Sequence, residues 1–116
     1  MKISFGMAIS AISALAASAQ AASLDPTFGS AGITSTAFGS YGAAAKVVVQ
    51  PDGRIVTAGQ DALGDFALAR YTTTGALDTS FNGTGKVTTT PSGSCSGQAR
   101  ALALQADGKI VVAGTS

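Results

Sequence analysis

Short apolar runs alternate with glycine-rich or polar links along most of the chain, and the runs have the length of β-strands. Four strand candidates come first, at residues 33–38, 44–50, 54–59 and 65–72. In the fourth, Phe66, Leu68 and Arg70 fall on one face and the residues between them on the other, which is the period of two expected of a strand. Three more candidates follow, at residues 86–90, 99–105 and 109–114. The pattern predicts an all-β, antiparallel fold.

A turn motif occurs twice, each time between two apolar runs. Residues 50–56 read Gln-Pro-Asp-Gly-Arg-Ile-Val, and residues 105–111 read Gln-Ala-Asp-Gly-Lys-Ile-Val. Pro51 fixes the φ angle that the first corner of a type I turn needs, and the glycine supplies the positive φ that closes it. Such a turn is a common hairpin connection with a bulge. We therefore predict two equivalent β-hairpins. Their turn residues are Asp52, Gly53, Asp107 and Gly108.

A second motif repeats at nearly the same distance. Residues 24–29 read Leu-Asp-Pro-Thr-Phe-Gly and residues 77–82 read Leu-Asp-Thr-Ser-Phe-Asn, an offset of 53 (77 − 24), whereas the hairpin motif has an offset of 55 (105 − 50). A period of this length is typical of propellers and solenoids, in which each repeat forms one supersecondary unit. We assign residues 24–76 to repeat 1, with four strands, and residues 77–116 to repeat 2, with three. Four short antiparallel strands are the content of one propeller blade.

The two hairpins also share a pattern of large and small residues. The large positions are Val47 and Val49, aligned with Leu102 and Leu104. The small positions, on the opposite face by strict alternation, are Ala44 and Val48, aligned with Ala99 and Ala103. Because neither face has much polar content, we expect strands that are buried on both sides, as in sheets stacked face to face.

The first 21 residues have the features of a secretory signal peptide. Lys2 precedes an apolar stretch that reaches Ala17, and residues 19–21 supply the Ala-x-Ala pattern for cleavage before Ala22. The apolar stretch is interrupted by serines and falls short of the ~20 residues that a membrane-spanning helix needs. An N-terminal membrane anchor is the alternative. We expect an exported protein, secreted or at the cell surface, with no membrane span after signal cleavage.

Composition argues against several classes of function. The chain has no His and one Cys, so it supplies neither a Ser-His-Asp nor a Cys-His arrangement, and it has too few ligands for zinc. The basic residues after Lys2 are scattered singly, which argues against a nucleic-acid partner. We therefore expect no catalytic residues and no cofactor. Cys95 lies in a Gly/Ser loop, where it is interpreted as a chance loop residue, with a free thiol or a thiol with a partner elsewhere as the alternatives.

The aspartates are the remaining candidates for acid–base or metal chemistry. The two hairpin-turn aspartates, together with Asp25 and Asp78 of the Leu-Asp motif, fit positions where a short carboxylate accepts hydrogen bonds from its own backbone. Asp61 and Asp65 could contribute to a Ca²⁺ site, but two carboxylates fall far short of the six to eight oxygens that Ca²⁺ takes. We predict structural roles and no metal site.

The aromatic residues divide into core and surface candidates. Tyr41 lies in a loop beside a glycine and is the one aromatic residue that we expect to be exposed. Four of the other aromatic residues recur with the repeat or lie in strands, and we expect them in the core. They are Phe28, Phe66, Tyr71 and Phe81.

Three linked motifs resemble the bacterial delta-60 repeat family. They are Leu-Asp-x-[Ser/Thr]-Phe-x-x-x-Gly at 24–32 and 77–85, Gln-x-Asp-Gly-[Lys/Arg]-Ile-Val-x-Ala-Gly at 50–59 and 105–114, and Asp-Phe-Ala-Leu-Ala-Arg-Tyr at 65–71. The resemblance covers nearly all of residues 24–116. It implies a secreted or surface protein with many tandem copies and a β-propeller-like arrangement, and it implies no catalytic residues. The chain departs from the family in copy number, since the second repeat lacks its fourth strand.

The expected function is that of an exported structural or binding scaffold for an unidentified ligand or protein. A propeller typically needs four or more blades, so we expect this chain to be the N-terminal piece of a longer protein. One alternative is an enzyme whose catalytic residues lie in repeats outside this chain. Another is a short protein that self-associates because its incomplete blades pair through open strand edges.

Overall fold

The computed structural model describes residues 2–5, 23–91 and 97–115, and over these ranges it contains strands and turns without a helix. The strands are β1 (Lys2–Phe5), β2 (Thr34–Ala37), β3 (Gly42–Val49), β4 (Ile55–Asp61), β5 (Phe66–Tyr71), β6 (Lys86–Thr89), β7 (Gln98–Leu104) and β8 (Ile110–Thr115). They form three antiparallel sheets, ordered β1-β2, β3-β4-β5-β6 and β7-β8. The prediction of an all-β fold with a four-stranded antiparallel sheet is confirmed.

Two sequence predictions fall mainly outside these ranges. Cys95 lies outside the described residues, so its role stays a prediction. The predicted signal peptide occupies residues 1–21, of which only Lys2–Phe5 are described, as the strand that pairs with β2. The signal peptide therefore also stays a prediction. Among the described residues, no helix is long and apolar enough to cross a membrane.

The four-stranded sheet begins one strand later than repeat 1 of the sequence. β2, the first strand of that repeat, pairs with β1, whereas the sheet takes its fourth strand, β6, from repeat 2. The Leu-Asp motif explains this arrangement. Its backbone stays hydrogen-bonded to the end of β5, because Asp78 N–H donates to the Arg70 carbonyl and Arg70 N–H donates to the Gly85 carbonyl. The chain is thereby returned along β5, and β6 continues the ladder.

Equivalent β-bulges interrupt the two hairpins. Ala44 pairs with Gly59 and Lys46 with Ala58, which leaves Ala45 as the extra residue. Arg100 is the extra residue of β7, between Ala99 and Ala101. A bulge shifts the alternation of side chains by one residue. The assignment of Ala44 and Ala99 to the faces of Val48 and Ala103 was therefore wrong, since both alanines lie on the side of the large residues.

The four-stranded sheet is buried on both faces at β4 and β5. Its front face carries Ile55, Ala67, Ala69 and Tyr71, which pack against Phe28 and Phe38 from the segment that contains β2. Its back face carries Val56, Ala58, Phe66, Leu68 and Val87. The hairpin β7-β8 covers the back face with Ala99, Leu102, Ile110 and Val112. Stacking of sheets face to face, as expected from the sequence, is thus present between the second and third sheets.

Strand β3 does not follow the expectation of burial on both sides. Val47 and Val49 share the front face with Thr57 and Ile55, their register partners, yet they are 44% and 57% exposed. The segment that contains β2 covers the β4 and β5 part of the front face and leaves these two valines of β3 partly exposed. The repeat counterparts of these valines, Leu102 and Leu104, are each half-buried.

Candidate functional site

The two hairpin turns hold their aspartates in the same way. In the β3–β4 turn, Asp52 Oδ1 accepts a hydrogen bond of 2.9 Å from Arg54 N–H, and Asp52 Oδ2 pairs with Arg54 Nη1 at 2.5 Å. In the β7–β8 turn, Asp107 accepts from Lys109 N–H at 3.1 Å and from Lys109 Nζ at 2.7 Å. Both carboxylates therefore have a backbone partner and a cation within the turn.

These hydrogen bonds stabilise the ionised form of each turn aspartate. The pKa of Asp52 is lowered chiefly by the backbone N–H of Arg54 and then by the Arg54 side chain. The pKa of Asp107 is lowered chiefly by the Lys109 side chain and then by the Lys109 backbone N–H. A carboxyl group with a lowered pKa is a poor general base near neutral pH, because catalysis favours a pKa close to the operating pH. The geometry supports a structural role for both.

The two turn glycines differ in their surroundings, which gives a test of the turn. Gly53 and Gly108 have φ angles of +86° and +84°, but a Cβ on Gly53 would lie 2.8 Å from Cγ2 of Thr73, whereas one on Gly108 would meet no atom within 4 Å. We expect Gly108→Val to cost about 1–2 kcal/mol from the left-handed φ, and Gly53→Val slightly more, since the exposed Thr73 side chain can turn away from the added atoms at little cost. Chemical denaturation measures both. A cost well below about 1 kcal/mol for either variant would contradict the left-handed turn.

Asp78 is the most highly connected charged group among the described residues. Its side chain is only 8% exposed, and Oδ2 accepts from Arg54 Nε and from Arg70 Nε at 2.8 Å each. Its other oxygen, Oδ1, accepts from Ser80 N–H at 3.1 Å and from the Ser80 hydroxyl at 2.6 Å. The guanidinium of Arg70 lies 4.7 Å from the centroid of the Phe81 ring. The cluster joins the β3–β4 turn, β5 and the Leu-Asp corner.

The pKa of Asp78 is lowered for the same reason as in the turns. The Ser80 hydroxyl is the largest cause, followed, against an opposing desolvation effect, by the Ser80 N–H and the charges of Arg70 and Arg54. Asp25, the repeat counterpart of Asp78, accepts from the hydroxyl and the N–H of Thr27, and its pKa is also lowered. No arginine pairs with Asp25 among the described residues. The corner is thus the same in both repeats, and the arginine contacts belong to one.

Asp61 and Asp65 lie at the two ends of the loop between β4 and β5. Asp61 Oδ1 accepts from the N–H groups of Leu63 and Asp65, both at 2.9 Å, so the carboxylate closes its own loop. In the part of the chain that the structure describes, no group of three or more His, Cys, Asp or Glu side chains is placed to hold a metal ion. The loop geometry therefore gives Asp61 a backbone-capping role.

The aromatic residues lie where the sequence pattern placed them. Phe28 and Tyr71 are buried, and the Tyr71 hydroxyl donates to Thr36 Oγ1 at 2.6 Å. Burial raises the pKa of the Tyr71 phenol, while the hydrogen bond to Thr36 opposes the rise. Phe66 and Phe81 pack against the back-face core. Tyr41 is 60% exposed and lines a cleft between the second and third sheets.

Sequence reasoning missed two features. It assigned Asp78 to a turn and did not find the two arginines that pair with it. Arg54 is distant along the chain from the Leu-Asp corner, and Arg70 lies on β5. It also passed over the cations of the cleft beside Tyr41, which are Lys46 and Arg100. A usable signal existed for the cleft: Lys46 aligns with Ala101, and Arg100 aligns with Ala45, so these cations break the repeat.

Comparison with known proteins gives one match. The family model of a β-propeller domain of unknown function, DUF5122, matches residues 50–81 and 105–116. The matched segments contain both hairpin turns, β4, β5 and the second Leu-Asp corner. No curated protein and no solved structure matches the chain. The chain is therefore similar to a β-propeller domain over these segments, and its described sheets are blade-like but not closed into a ring.

Proposed function

We propose that this chain is a scaffold module of an exported protein of the delta-60 repeat type, in which blade-like sheets stack and each incomplete sheet is completed by a like unit. The β-propeller family match supports the scaffold class. The signal-peptide pattern of residues 1–21 supports export, and the motifs at 24–32, 50–59 and 65–71 support the delta-60 type.

The outer face of β7-β8 carries the proposal. Ala103, Val111 and Ala113 lie on this face, opposite to the residues that pack on the second sheet. Their counterparts at the offset of 55 are Val48, Val56 and Ala58. Val56 and Ala58 are buried, whereas Val111 is 43% exposed and Ala113 is exposed. A face that repeats a buried face residue by residue is suited to receive another unit of the same kind.

The edge of β8 supports the same occupant. β4, the counterpart of β8, pairs with β3 on one side and with β5 over six residue pairs on the other. β8 pairs with β7, and among the described strands it has no neighbour on its other side. An open edge presents unpaired backbone groups that recruit a further strand. The strand that fits by repeat register is a copy of β5.

The test extends the chain after Ser116 with a copy of residues 62–90, which continues the repeat in register because Asp61 aligns with Ser116. The added copy of β5 is expected to pair with the open edge of β8, with its Arg70 and Leu68 beside Val111 and Ala113, as Arg70 and Leu68 lie beside Val56 and Ala58 in the second sheet. We expect the thermal midpoint to rise by about 5 °C or more, since the extension adds a ladder of six residue pairs by analogy with β4 and β5, and favourable cross-strand pairs contribute ~0.2–1 kcal/mol each. The matched control carries Leu68→Pro in the added copy only, because proline is not tolerated inside a central strand and would prevent pairing with β8. Equal midpoints for the extended chain and the control would overturn the proposal.

Self-association of the unextended chain is the second measurement. Without a further unit, the open edge of β8 and the outer face of β7-β8 are expected to pair with a second copy, so sedimentation should show concentration-dependent oligomers. The extension should reduce this association because it occupies the open edge of β8, while the Leu68→Pro control should not. A cooperative monomeric melt of the unextended chain would contradict the proposal.

A further inference from the structure

A cleft of about 540 Å³ lies between the second and third sheets, at the ends of β3, β4 and β7. Its walls include small residues, among them Gly59 and Ala99, which leave room between the strands. Its polar groups come from Tyr41, Lys46, Gln60, Gln98 and Arg100. The cleft is formed entirely by residues of this chain, so it is independent of whether another unit stacks on β7-β8.

Within the described part of the chain, the basic side chains that lack a polar partner lie in this cleft. Arg54, Arg70 and Lys109 each pair with an aspartate, and Lys86 Nζ donates to the Ala37 carbonyl. Among residues 23–91 and 97–115, the remaining basic side chains are Lys46 and Arg100, and no described side chain or carbonyl pairs with either. Both line this cleft, and no acidic residue does. Two free cations in one concave site favour an anionic ligand.

The cleft residues differ between repeats where the scaffold does not. The bulge, its preceding alanine and the glycine opposite occur in both hairpins, as Ala44 with Gly59 and Ala99 with Gly114. The polar positions do not recur: at the offset of 55, Tyr41 aligns with Ser96, Gln60 with Thr115 and Ala43 with Gln98. The cation positions differ as noted above. At these positions the two hairpins fold with different residues, so the fold alone does not account for the polar side chains of the cleft.

The bulge of β7 gives Arg100 its place in the cleft. Arg100 is the extra residue between two ladder pairs, and a bulge of this kind re-aims the side chain that it carries. Bulges are common beside binding sites for this reason. The equivalent bulge in β3 carries Ala45, so only the bulge of β7 places a guanidinium in the cleft.

We propose that this cleft binds a carboxylate-bearing saccharide. The planar guanidinium of Arg100 suits a carboxylate, which it binds through two parallel hydrogen bonds, and Lys46 adds a second positive charge. Gln60 and Gln98 offer amide donors and acceptors to sugar hydroxyl groups. The exposed ring of Tyr41 supplies an apolar surface with a polar tip, on which a sugar ring packs. The site adds a binding activity to the stacking role.

In the experiment, the full chain is titrated with trigalacturonate and binding is measured by isothermal titration calorimetry. Galactotriose, which has the same ring without the carboxylates, is the ligand control. We expect saturable binding of trigalacturonate that weakens with added salt, and at least tenfold weaker binding of galactotriose. Undetectable trigalacturonate binding, or equal binding of the neutral sugar, would overturn the proposal.

Variants locate the site, and the repeat itself supplies tolerated substitutions. Arg100→Ala and Lys46→Ala each introduce the residue that the other hairpin carries at the aligned position, so both are expected to keep the thermal midpoint. Each should weaken trigalacturonate binding about tenfold, and Tyr41→Ala should weaken it as well. Lys109→Ala removes an exposed cation far from the cleft and should leave binding unchanged. An equal loss in Lys109→Ala would show non-specific charge attraction and would overturn the assignment.

Discussion

Gly59→Ala is expected to unfold the second sheet at its first hairpin. Gly59 is buried in β4 opposite the bulge of β3, and a Cβ there would overlap the carbonyl oxygen of Ala43 and lie 2.8 Å from Cα of Ala44. These neighbours are backbone atoms held in the β3–β4 ladder, so they move only if the strands separate. We expect a cost on the order of 3 kcal/mol and a fall of more than about 10 °C in the thermal midpoint.

Gly108→Ala is the matched control for this prediction. Gly108 has φ +84° and no atom within 4 Å of an added Cβ, so its replacement costs only the left-handed backbone conformation, about 1 kcal/mol. Gly59 is not among the positive-φ glycines, so its replacement costs only the overlap. Comparing the two midpoints separates the two effects. A Gly59→Ala midpoint equal to or above that of Gly108→Ala would contradict the close approach of β3 to β4.

The same bulge marks the limit of what the sequence predicts about the fold. The hairpin turns depend on local backbone preferences, which a Pro-Asp-Gly motif carries by itself. Strand positions follow from runs of apolar residues, and β4 and β5 lie within about two residues of their predicted bounds. The bulge depends on Gly59, fifteen residues away from Ala44, and its effect is to change the face of every residue before it. A prediction that assumes strict alternation of side chains between the two faces cannot include such a shift.

The sequence also does not predict which strands belong to which sheet. A repeat can be divided at any strand, and the sequence motifs gave no reason to prefer one division. The structure divides it after β2 because the corner at Asp78 stays hydrogen-bonded to Arg70 of β5, which directs β6 onto that edge. The contacts that decide this are backbone hydrogen bonds of Asp78 and Arg70, whose side chains also form an ion pair. The candidate cleft is non-local in the same way, because it joins side chains of β3 with side chains of β7.

Asp78→Asn is expected to destabilise the chain far more than Asp25→Asn. Both aspartates accept the hydroxyl and the N–H of the residue two positions ahead, Ser80 or Thr27. Only Asp78 also accepts from two guanidinium groups, Arg54 and Arg70. An amide removes the charge and places a donor beside these cations, and it leaves Arg70 without its carboxylate partner. The difference between the two thermal midpoints therefore measures the contribution of the arginines. Equal midpoints would show that the corner, and not the ion cluster, is the source of stability.

The pH dependence of this difference provides a second readout. Because the folded chain lowers the pKa of Asp78, its carboxylate contributes stability above the unfolded pKa of about 4, and that contribution is lost as the pH falls through the lower folded value. The gap between the parent chain and Asp78→Asn should be largest at neutral pH and should narrow below about pH 4. Asp25→Asn should show a smaller gap with the same sign, since hydrogen bonds from Thr27 lower that pKa also. Midpoints measured from pH 7 to pH 2 test this, and a gap for Asp78→Asn that widens in acid would contradict the ion cluster.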